Sequence, residues 1–308
     1  MISVIGQGKL GKPIADVFSK YFKVNRFDKG DSLRNLGDMV FVVVPTPSEI
    51  TGAFSSLEVE NVLSQIKHPQ RVVIVSTVMP GETDRLQKKY PKLTLLYNPT
   101  FVALGSVKED FTYPDFVLIG GKDKKAINML QIIHQTIAHN PEFCVMSALE
   151  AEIAKLTLNC YITAKITFAN QIGNLCERLD IKPDKILNAV GKDSRIGNKY
   201  FKAGLSYGGP CFPRDNVAMT WYMYNHGIQP KLQETVHELN KEQIEEMIYR
   251  IHKINPKSIG FKSLSYKEGS DITEESHLWY IYEALKAEGY KVKKGKGEVN
   301  IDWGGICE

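Results

Sequence analysis

Cys211 has the most pointed surroundings of any residue in this sequence. It lies in Gly208-Gly209-Pro210-Cys211-Phe212-Pro213-Arg214-Asp215, where two glycines and two prolines bracket a thiol at an expected helix start. A thiol at a helix N-terminus has its pKa lowered by the dipole and by nearby cations such as Arg214, and the thiolate is a nucleophile. Asp215 follows four residues later, one helical turn away, so it faces the same site. A small buried cysteine in a turn fits the same spacing, and spacing alone leaves the two readings even. Lys155 and Asn159 are also four apart. They share a helix face, but on spacing alone the reading to hold is a solvated lysine on a surface helix.

A second chemistry is written in Gly6-Gln7-Gly8-Lys9-Leu10-Gly11, which follows a strand-like ISVI and leads into a helix pattern. Gly6 permits a tight turn, Gly8 lets backbone approach a pyrophosphate, and Gly11 lets helix and strand pack closely. The helix N-terminus offers N–H groups and positive dipole to phosphates. Asp28 ends the next strand-like run, 20 residues past Gly8. Its carboxylate suits both ribose hydroxyls and repels a 2′-phosphate, which favours NAD over NADP.

These residues need elements to hold them. ISVIG, FKVNRFD, MVFVVVP, RVVIVST and FVLIGG are short, rich in Val, Ile and Phe, and ended by Gly, Pro or Asp, so they read as strands. Helix-like stretches alternate with them, which predicts a parallel sheet covered on both faces. From about Ser147 to Leu179, Ile153, Leu156, Cys160, Phe168, Ile172, Leu175 and Leu179 mostly recur at steps of three and four, predicting one long amphipathic helix. A second helix is expected from about Leu232 to Lys253. After Asn255-Pro256, SIGF, a helix near Glu275–Glu288 and YKV make one βαβ unit, and the remaining tail is too short to complete a sheet. Lys291–Gly297 reads as a solvated loop.

The chain of 308 residues is 43% hydrophobic and 24% charged, as in globular proteins, with net charge +4. That excess suits an anionic ligand, and no motif points to nucleic acid. No apolar run approaches the ~18 residues of a membrane span. MISVIGQG already reads as strand and turn, leaving no room for a signal peptide, so a cytoplasmic location is expected. The five cysteines, Cys144, Cys160, Cys176, Cys211 and Cys307, show neither CxxC nor a zinc-type His spacing, and no metal is expected.

In order along the chain, GQGKLG, VVVPTPSE, STVMPGET, YNPTFVALGS, DFTYPDFVLIGG, AEIAKLTLN, RIGNKYFKAGLSYGGPCFPRD and FKSLSYKEGSD resemble the motifs of the UDP-glucose/GDP-mannose dehydrogenase family, and the cysteine segment resembles its UDP-glucose branch. The resemblance implies an α/β fold: a Rossmann-like NAD domain (1–145), a central long-helix dimerisation and substrate domain (146–254) and a truncated UDP-binding-like α/β domain (255–308). It implies oxidation of a nucleotide-sugar C6 alcohol to a carboxylate by two successive hydride transfers to NAD, in a homodimer. Cys211 matches the nucleophile, with Lys155, Asn159 and Asp215 around it and Thr77 holding a water. Gly6, Gln7, Gly8, Lys9, Leu10, Gly11, Asp28, Pro45, Thr46, Ser76, Thr77 and Arg214 match cofactor positions. Phe101, Lys155, Asn159, Tyr200, Phe201, Lys202, Tyr207, Gly208, Tyr266 and Lys267 match the substrate set, and Arg195 an arginine that reaches a neighbouring subunit's site.

Three places depart from the pattern. Thr100 stands where the family has the glutamate that serves as base in thioester hydrolysis, and threonine is no general base near neutral pH. A second family glutamate falls at Leu104. The family's Asp-Ile-Arg-Glu-Ser reads Asp271-Ile272-Thr273-Glu274-Glu275-Ser276, without its arginine, and the family's last domain is longer than the stretch after Pro256 here. These changes predict a slow enzyme, one stalled at the thioester, or altered substrate use. A weakened homologue that binds NAD or a nucleotide sugar is the alternative. A β-hydroxyacid dehydrogenase, which pairs a Rossmann domain with Lys and Asn one turn apart and needs no cysteine, is a third reading.

Overall fold

The computed structural model describes residues 1–101 and 106–307. The chain forms two compact units, Met1–Lys155 and Leu156–Glu308.

The first unit contains β1 (Ile2–Ile5), α1 (Gly11–Phe18), β2 (Val24–Phe27), β3 (Met39–Val42), α2 (Leu57–Gln65), β4 (Gln70–Ile74), α3 (Glu82–Lys89), β5 (Leu93–Tyr97), α4 (Val107–Thr112), β6 (Val117–Gly120), α5 (Lys124–Ile137), β7 (Phe143–Met146) and the start of α6 (Ala148–Arg178). Its seven-stranded sheet has the order β2-β1-β3-β4-β5-β6-β7. Alternate side chains along each strand enter different cores, as a period of two requires. Met39 and Phe41 pack with Ile14, Phe18, Leu130 and Ile133 of α1 and α5. Val40 and Val42 pack with Val59, Leu63 and Leu86 of α2 and α3. Each such side chain, fully buried, contributes roughly 1.5–3 kcal/mol.

All five strand-like runs form strands. The sheet is not wholly parallel, however, because β6 runs antiparallel to β5 through Tyr97 and Gly120. An apolar run signals a buried strand whichever way it points, so its direction is invisible in the pattern. Strand order reverses at β1, whose neighbours are β2 and β3. The carboxyl ends of β1 and β3 therefore flank the crevice where such sheets bind ligands.

α6 matches its expected length. Ser147 opens it with a capping box: its N–H donates to Glu150 Oε2 at 2.8 Å, and Glu150 N–H donates to Ser147 Oγ at 3.3 Å. The expected apolar face is corrected in its second half. Leu156 and Cys160 are buried, but Phe168, Leu175 and Leu179 are each more than half exposed. The covered side there is built from Thr163, Thr167, Ala169, Asn170 and Cys176, small or polar side chains that let neighbouring segments approach closely.

The second unit continues with α7 (Pro183–Gly191), α8 (Phe212–Asn225), α9 (Lys231–Ile254), β8 (Ile259–Phe261), α10 (His277–Ala287), β9 (Val292–Lys294), β10 (Val299–Asp302) and β11 (Gly305–Cys307). β8, α10 and β9 form the expected βαβ unit, with β8 and β9 parallel. The tail corrects two expectations. Lys291–Gly297 includes β9, and the residues after it add β10, parallel to β8, and β11, antiparallel to β10. Gly305, at φ 108°, lets the chain reverse tightly, so a short tail still completes a four-stranded sheet. Ile301 from this tail joins Ile251, Phe261, Ile281 and Leu285 in the core. No described helix is long and apolar enough to cross a membrane.

Candidate active site

The turn after β1 has the conformation that its glycines suggest. Gly6 has φ 97°, and a Cβ there would lie 2.1 Å from Val43 O. A Cβ on Gly11 would lie 1.9 Å from Gly6 O. Both glycines are required by the protein itself. Gly8 is different: a Cβ there meets no heavy atom within 4 Å. Nothing in the chain demands glycine at position 8, whereas a phosphate approaching the backbone would. The N-terminus of α1 supports the same reading, because Leu10 gives no side-chain cap and the first turn carries no acid. An anion approaching this helix end would meet no competing carboxylate in the first turn.

Gln7 folds back, donating from Nε2 to Val4 O and Gly6 O at 3.2 and 3.3 Å. Lys9 is exposed. Asp28 is exposed just past β2 and accepts from Lys29 N at 3.0 Å through one carboxylate oxygen. Across the crevice, Ser76 Oγ donates to Val44 O (2.6 Å) and accepts from Val44 N (2.9 Å), while Thr46 Oγ1 donates to Thr77 O (2.7 Å). These bonds tie the ends of β3 and β4 together. They place exposed Pro45 and half-buried Thr77 on neighbouring loops at the carboxyl end of the sheet. Phosphate-accepting turn, uncapped helix and terminal carboxylate together fit a dinucleotide.

Lys155 is buried, and its Nζ donates to Thr100 O at 2.9 Å and lies 4.6 Å from the centre of the Phe101 ring. The solvated-lysine reading is thereby excluded. The Thr100 segment is itself anchored. Asn98 donates to Leu118 O at 2.7 Å and bonds His134 Nε2 at 2.8 Å, and burial lowers the His134 pKa to about 4, keeping it neutral. Leu104 lies outside the described residues.

Sequence reasoning missed Glu152, one turn before Lys155. Its buried carboxylate accepts from Gly81 N (2.6 Å) and Thr83 N (2.8 Å), capping α3 just beyond the Thr77 loop. Burial raises its pKa to about 7 against the pull of these bonds. A glutamate at an inward helix position was the available signal.

In the second unit, Cys211 is the exposed N-cap residue of α8, with Pro213 in the first turn. Asp215 lies one turn on and is buried. Asn159 Nδ2 donates to its Oδ2 at 2.6 Å, and Arg214 Nε lies 3.6 Å from its Oδ1. Cys160 beneath it is a contrasting thiol: buried, 3.8 Å from Asp215 O, and pushed up to about 12 by burial and then by the Asp215 charge. Gly209, at φ 82°, runs against Tyr266, whose ring a Cβ would meet at 2.4 Å. Burial, then the nearby Cys211 and Tyr200, raise the Tyr266 pKa. Tyr200, itself at φ 61°, packs edge-on to Phe212 at 6.0 Å. Lys267 Nζ lies 5.8 Å from the Tyr266 ring centre. The structure thus brings Cys211, Tyr200, Phe212, Tyr266 and Gly209 together.

Others sit apart from that group. Phe201 belongs to a small core with Ala169 and Leu187 and stacks on Phe168 at 6.2 Å. Lys202 is exposed. Arg195 turns back on its own loop, donating from Nε and an Nη to Asp193 at 3.0 and 2.7 Å. Tyr207 and Gly208 belong with the Cys211 group: buried Tyr207 meets the Phe212 ring edge-on at 6.4 Å, and Gly208, next to Gly209, abuts Glu275, whose O a Cβ would meet at 2.2 Å.

Comparison with known proteins accounts for both halves. Residues 24–138 match the NAD binding domain of the UDP-glucose/GDP-mannose dehydrogenase family, and residues 149–242 match its central domain. The chain belongs to this family. It is 30% identical over 277 residues to a UDP-glucose 6-dehydrogenase of Rickettsia bellii, covering 85% of this chain and 64% of that protein. It is 31% identical over 270 residues to that of Rickettsia prowazekii, covering 83% and 62%. It therefore spans less than two thirds of the length of these curated relatives. A UDP-glucose dehydrogenase structure from Pyrobaculum islandicum superposes with a TM-score of 0.86 at 26% identity, over 95% of this chain and 81% of that one. A UDP-D-ManNAc dehydrogenase structure from Pyrococcus horikoshii shares the fold, with a TM-score of 0.81 at 18% identity over 95% and 82%.

Proposed function

We propose that this chain is an NAD-dependent dehydrogenase that oxidises the C6 alcohol of UDP-glucose to a carboxylate through a thioester on Cys211. The observation that carries this reading is Cys211 itself, exposed at the start of α8 above a buried Asp215 that Asn159 fixes. A helix N-terminus favours negative charge, here a thiolate. The Gly6–Gly11 turn and Asp28 would hold NAD, which accepts hydride when bound. Cys211 adds to the C6 aldehyde to give a thiohemiacetal and retains it until the second oxidation yields the thioester. Lys155 and Asn159, one turn apart on α6, stabilise the oxyanion, and Asp215 keeps Asn159 oriented. Arg214 assists the cofactor, and Tyr200, Phe201, Lys202, Tyr207, Gly208, Tyr266, Lys267, Phe101 and Arg195 shape the sugar-nucleotide site. The chain's divisions would be 1–145, 146–254 and 255–308.

Thr100 supports the second reading, a homologue with weakened turnover. Its side chain offers no carboxylate for hydrolysis, and its carbonyl already engages the Lys155 ammonium. We also infer a homodimer. Tyr161, Phe168, Leu175 and Leu179 form an exposed apolar stripe at steps of seven, seven and four along and just beyond α6. Light scattering of wild type and Leu175→Glu tests it, with the variant expected as monomer.

Following NADH formation with UDP-glucose, GDP-mannose and UDP-N-acetylmannosamine tests the activity. UDP-glucose is expected to be preferred, and Cys211→Ser to abolish carboxylate formation. Unchanged turnover by Cys211→Ser would instead support a cysteine-independent hydroxyacid dehydrogenase.

A further inference from the structure

The segment from Lys192 to Cys211 contains no helix or strand, yet Phe201, Ser206 and Tyr207 within it are buried. A buried loop must find partners for its backbone N–H and C=O groups. Here side chains supply them. Asn170 Oδ1 accepts from Gly204 N at 2.9 Å, and its Nδ2 donates to Leu205 O at 3.3 Å. Gln243 Nε2 donates to Gly204 O at 2.9 Å. His277 Nδ1 bonds Ser206 O at 2.7 Å, and burial lowers the ring's pKa to about 4, so a neutral Nδ1–H donates. Asn240 Oδ1 accepts from Tyr207 N at 2.8 Å, and its Nδ2 donates to Tyr207 O at 2.9 Å. Six backbone groups of four consecutive residues are thus met by side chains of α6, α9 and α10.

Asn240 bonds both the N–H and the C=O of one residue, as a neighbouring strand would. A carboxamide alone among side chains of this size offers a donor and an acceptor side by side. An aspartate would lose the donor and bury a charge. Behind it, Asn174 Nδ2 fixes Gln243 Oε1 at 2.9 Å, and Arg250 donates to Asn174 Oδ1 at 2.7 Å. The clamp ends four residues before Cys211, where Gly208 and Gly209 pass against Glu275 and Tyr266.

We propose that Asn240 is a positioning residue. With Gln243 and Asn170 behind it, it holds residues 204–211 in their ligand-binding conformation before the ligand arrives, which removes an ordering cost from binding. The ligand, a nucleotide sugar, rests on the function proposed above; the clamp does not.

Amide hydrogen exchange on the full chain tests it. In wild type, the Tyr207 N–H is expected to exchange on the order of a hundredfold more slowly than those of residues 192–199, and fast exchange would overturn the clamp. In Asn240→Asp and in Gln243→Glu, exchange of residues 204–211 is expected to rise about tenfold while β1, β3 and α1 are unchanged. The KM for UDP-glucose is expected to rise about tenfold with that for NAD within about twofold. A general loss of structure would raise both KM values together and would contradict a positioning role, as would unaltered exchange in both variants. A wild type without nucleotide-sugar activity refutes the proposed function and leaves the exchange experiment to decide the clamp.

Discussion

The turn Gly6–Gly11 and the turn Gly208–Cys211 both lead into a helix N-terminus, and both depend on glycine, but on different neighbours. A Cβ on Gly6 would strike Val43 O and one on Gly11 would strike Gly6 O, in a turn that follows a buried strand. Gly208 and Gly209 avoid Glu275 O and the Tyr266 ring, contributed by a segment more than fifty residues later. The first turn is shaped by its own backbone and by Val43, at the end of the neighbouring strand β3 in the same sheet. The second is shaped by distant partners, and the loop before it by the carboxamides of Asn170, Asn240 and Gln243. A Gly-rich turn after a buried strand can thus be carried by one sheet, whereas the loop leading to Cys211 needs the rest of its unit.

Substitution should separate the two. Gly11→Ala places its Cβ 1.9 Å from Gly6 O, so unfolding should become easier by roughly 1–3 kcal/mol, and NAD binding should fail. Calorimetric melting and NAD titration check this. Gly209→Ala puts a side chain at φ 82° against the Tyr266 ring, a strain of roughly 1–3 kcal/mol, and should depress sugar-dependent turnover strongly with NAD affinity intact. Loss of NAD affinity in this variant would break the comparison.

Gly8→Ala sharpens it further. Its Cβ meets nothing in the protein, so stability should stay within about 0.5 kcal/mol while the Kd for NAD rises about tenfold. An unchanged Kd would remove the case for a phosphate at Gly8.

The smallest effect concerns Glu152. Its pKa is raised in the folded chain from 4.5 to about 7, so the folded state holds the proton more tightly than the unfolded one. The stability this brings is full below pH 4.5 and is lost as pH rises through about 7. The stability difference between wild type and Glu152→Gln, followed by denaturant titration from pH 4.5 to 8, should move against wild type as pH rises. A flat difference would show that Glu152 does not titrate there. His134, whose shift is opposite, is common to both proteins and cancels.

The same contrast explains how legible each half was. Gly6, Gly8, Gly11 and Asp28 could be read because strand period, turn and helix start are local signals. Cys211 at a helix start and Asp215 one turn on were equally local, and both stand where spacing put them. The features that could not be read are held by distant partners. Glu152 was hidden because its partners, Gly81 and Thr83, lie some seventy residues earlier. The burial of Lys155 was hidden because Thr100 O, which receives it, is on another segment. Nothing local distinguishes Asn170, Asn240 and Gln243 from ordinary polar helix residues, because the loop they serve is more than thirty residues away in sequence. Along α6 a period of three and four marks a stripe without saying whether the core or another surface covers it, and Phe168, Leu175 and Leu179 are exposed. The direction of β6 and the strands of the tail escaped for the same reason: pairing is a long-range property.

Peptide mass spectrometry of the protein after incubation with NAD and UDP-glucose reads the covalent step at Cys211 itself. A glucuronyl thioester is expected on the peptide containing Cys211, absent without NAD and absent in Cys211→Ser. Carboxylate formation with Cys211 never modified, and undiminished in Cys211→Ser, would contradict it.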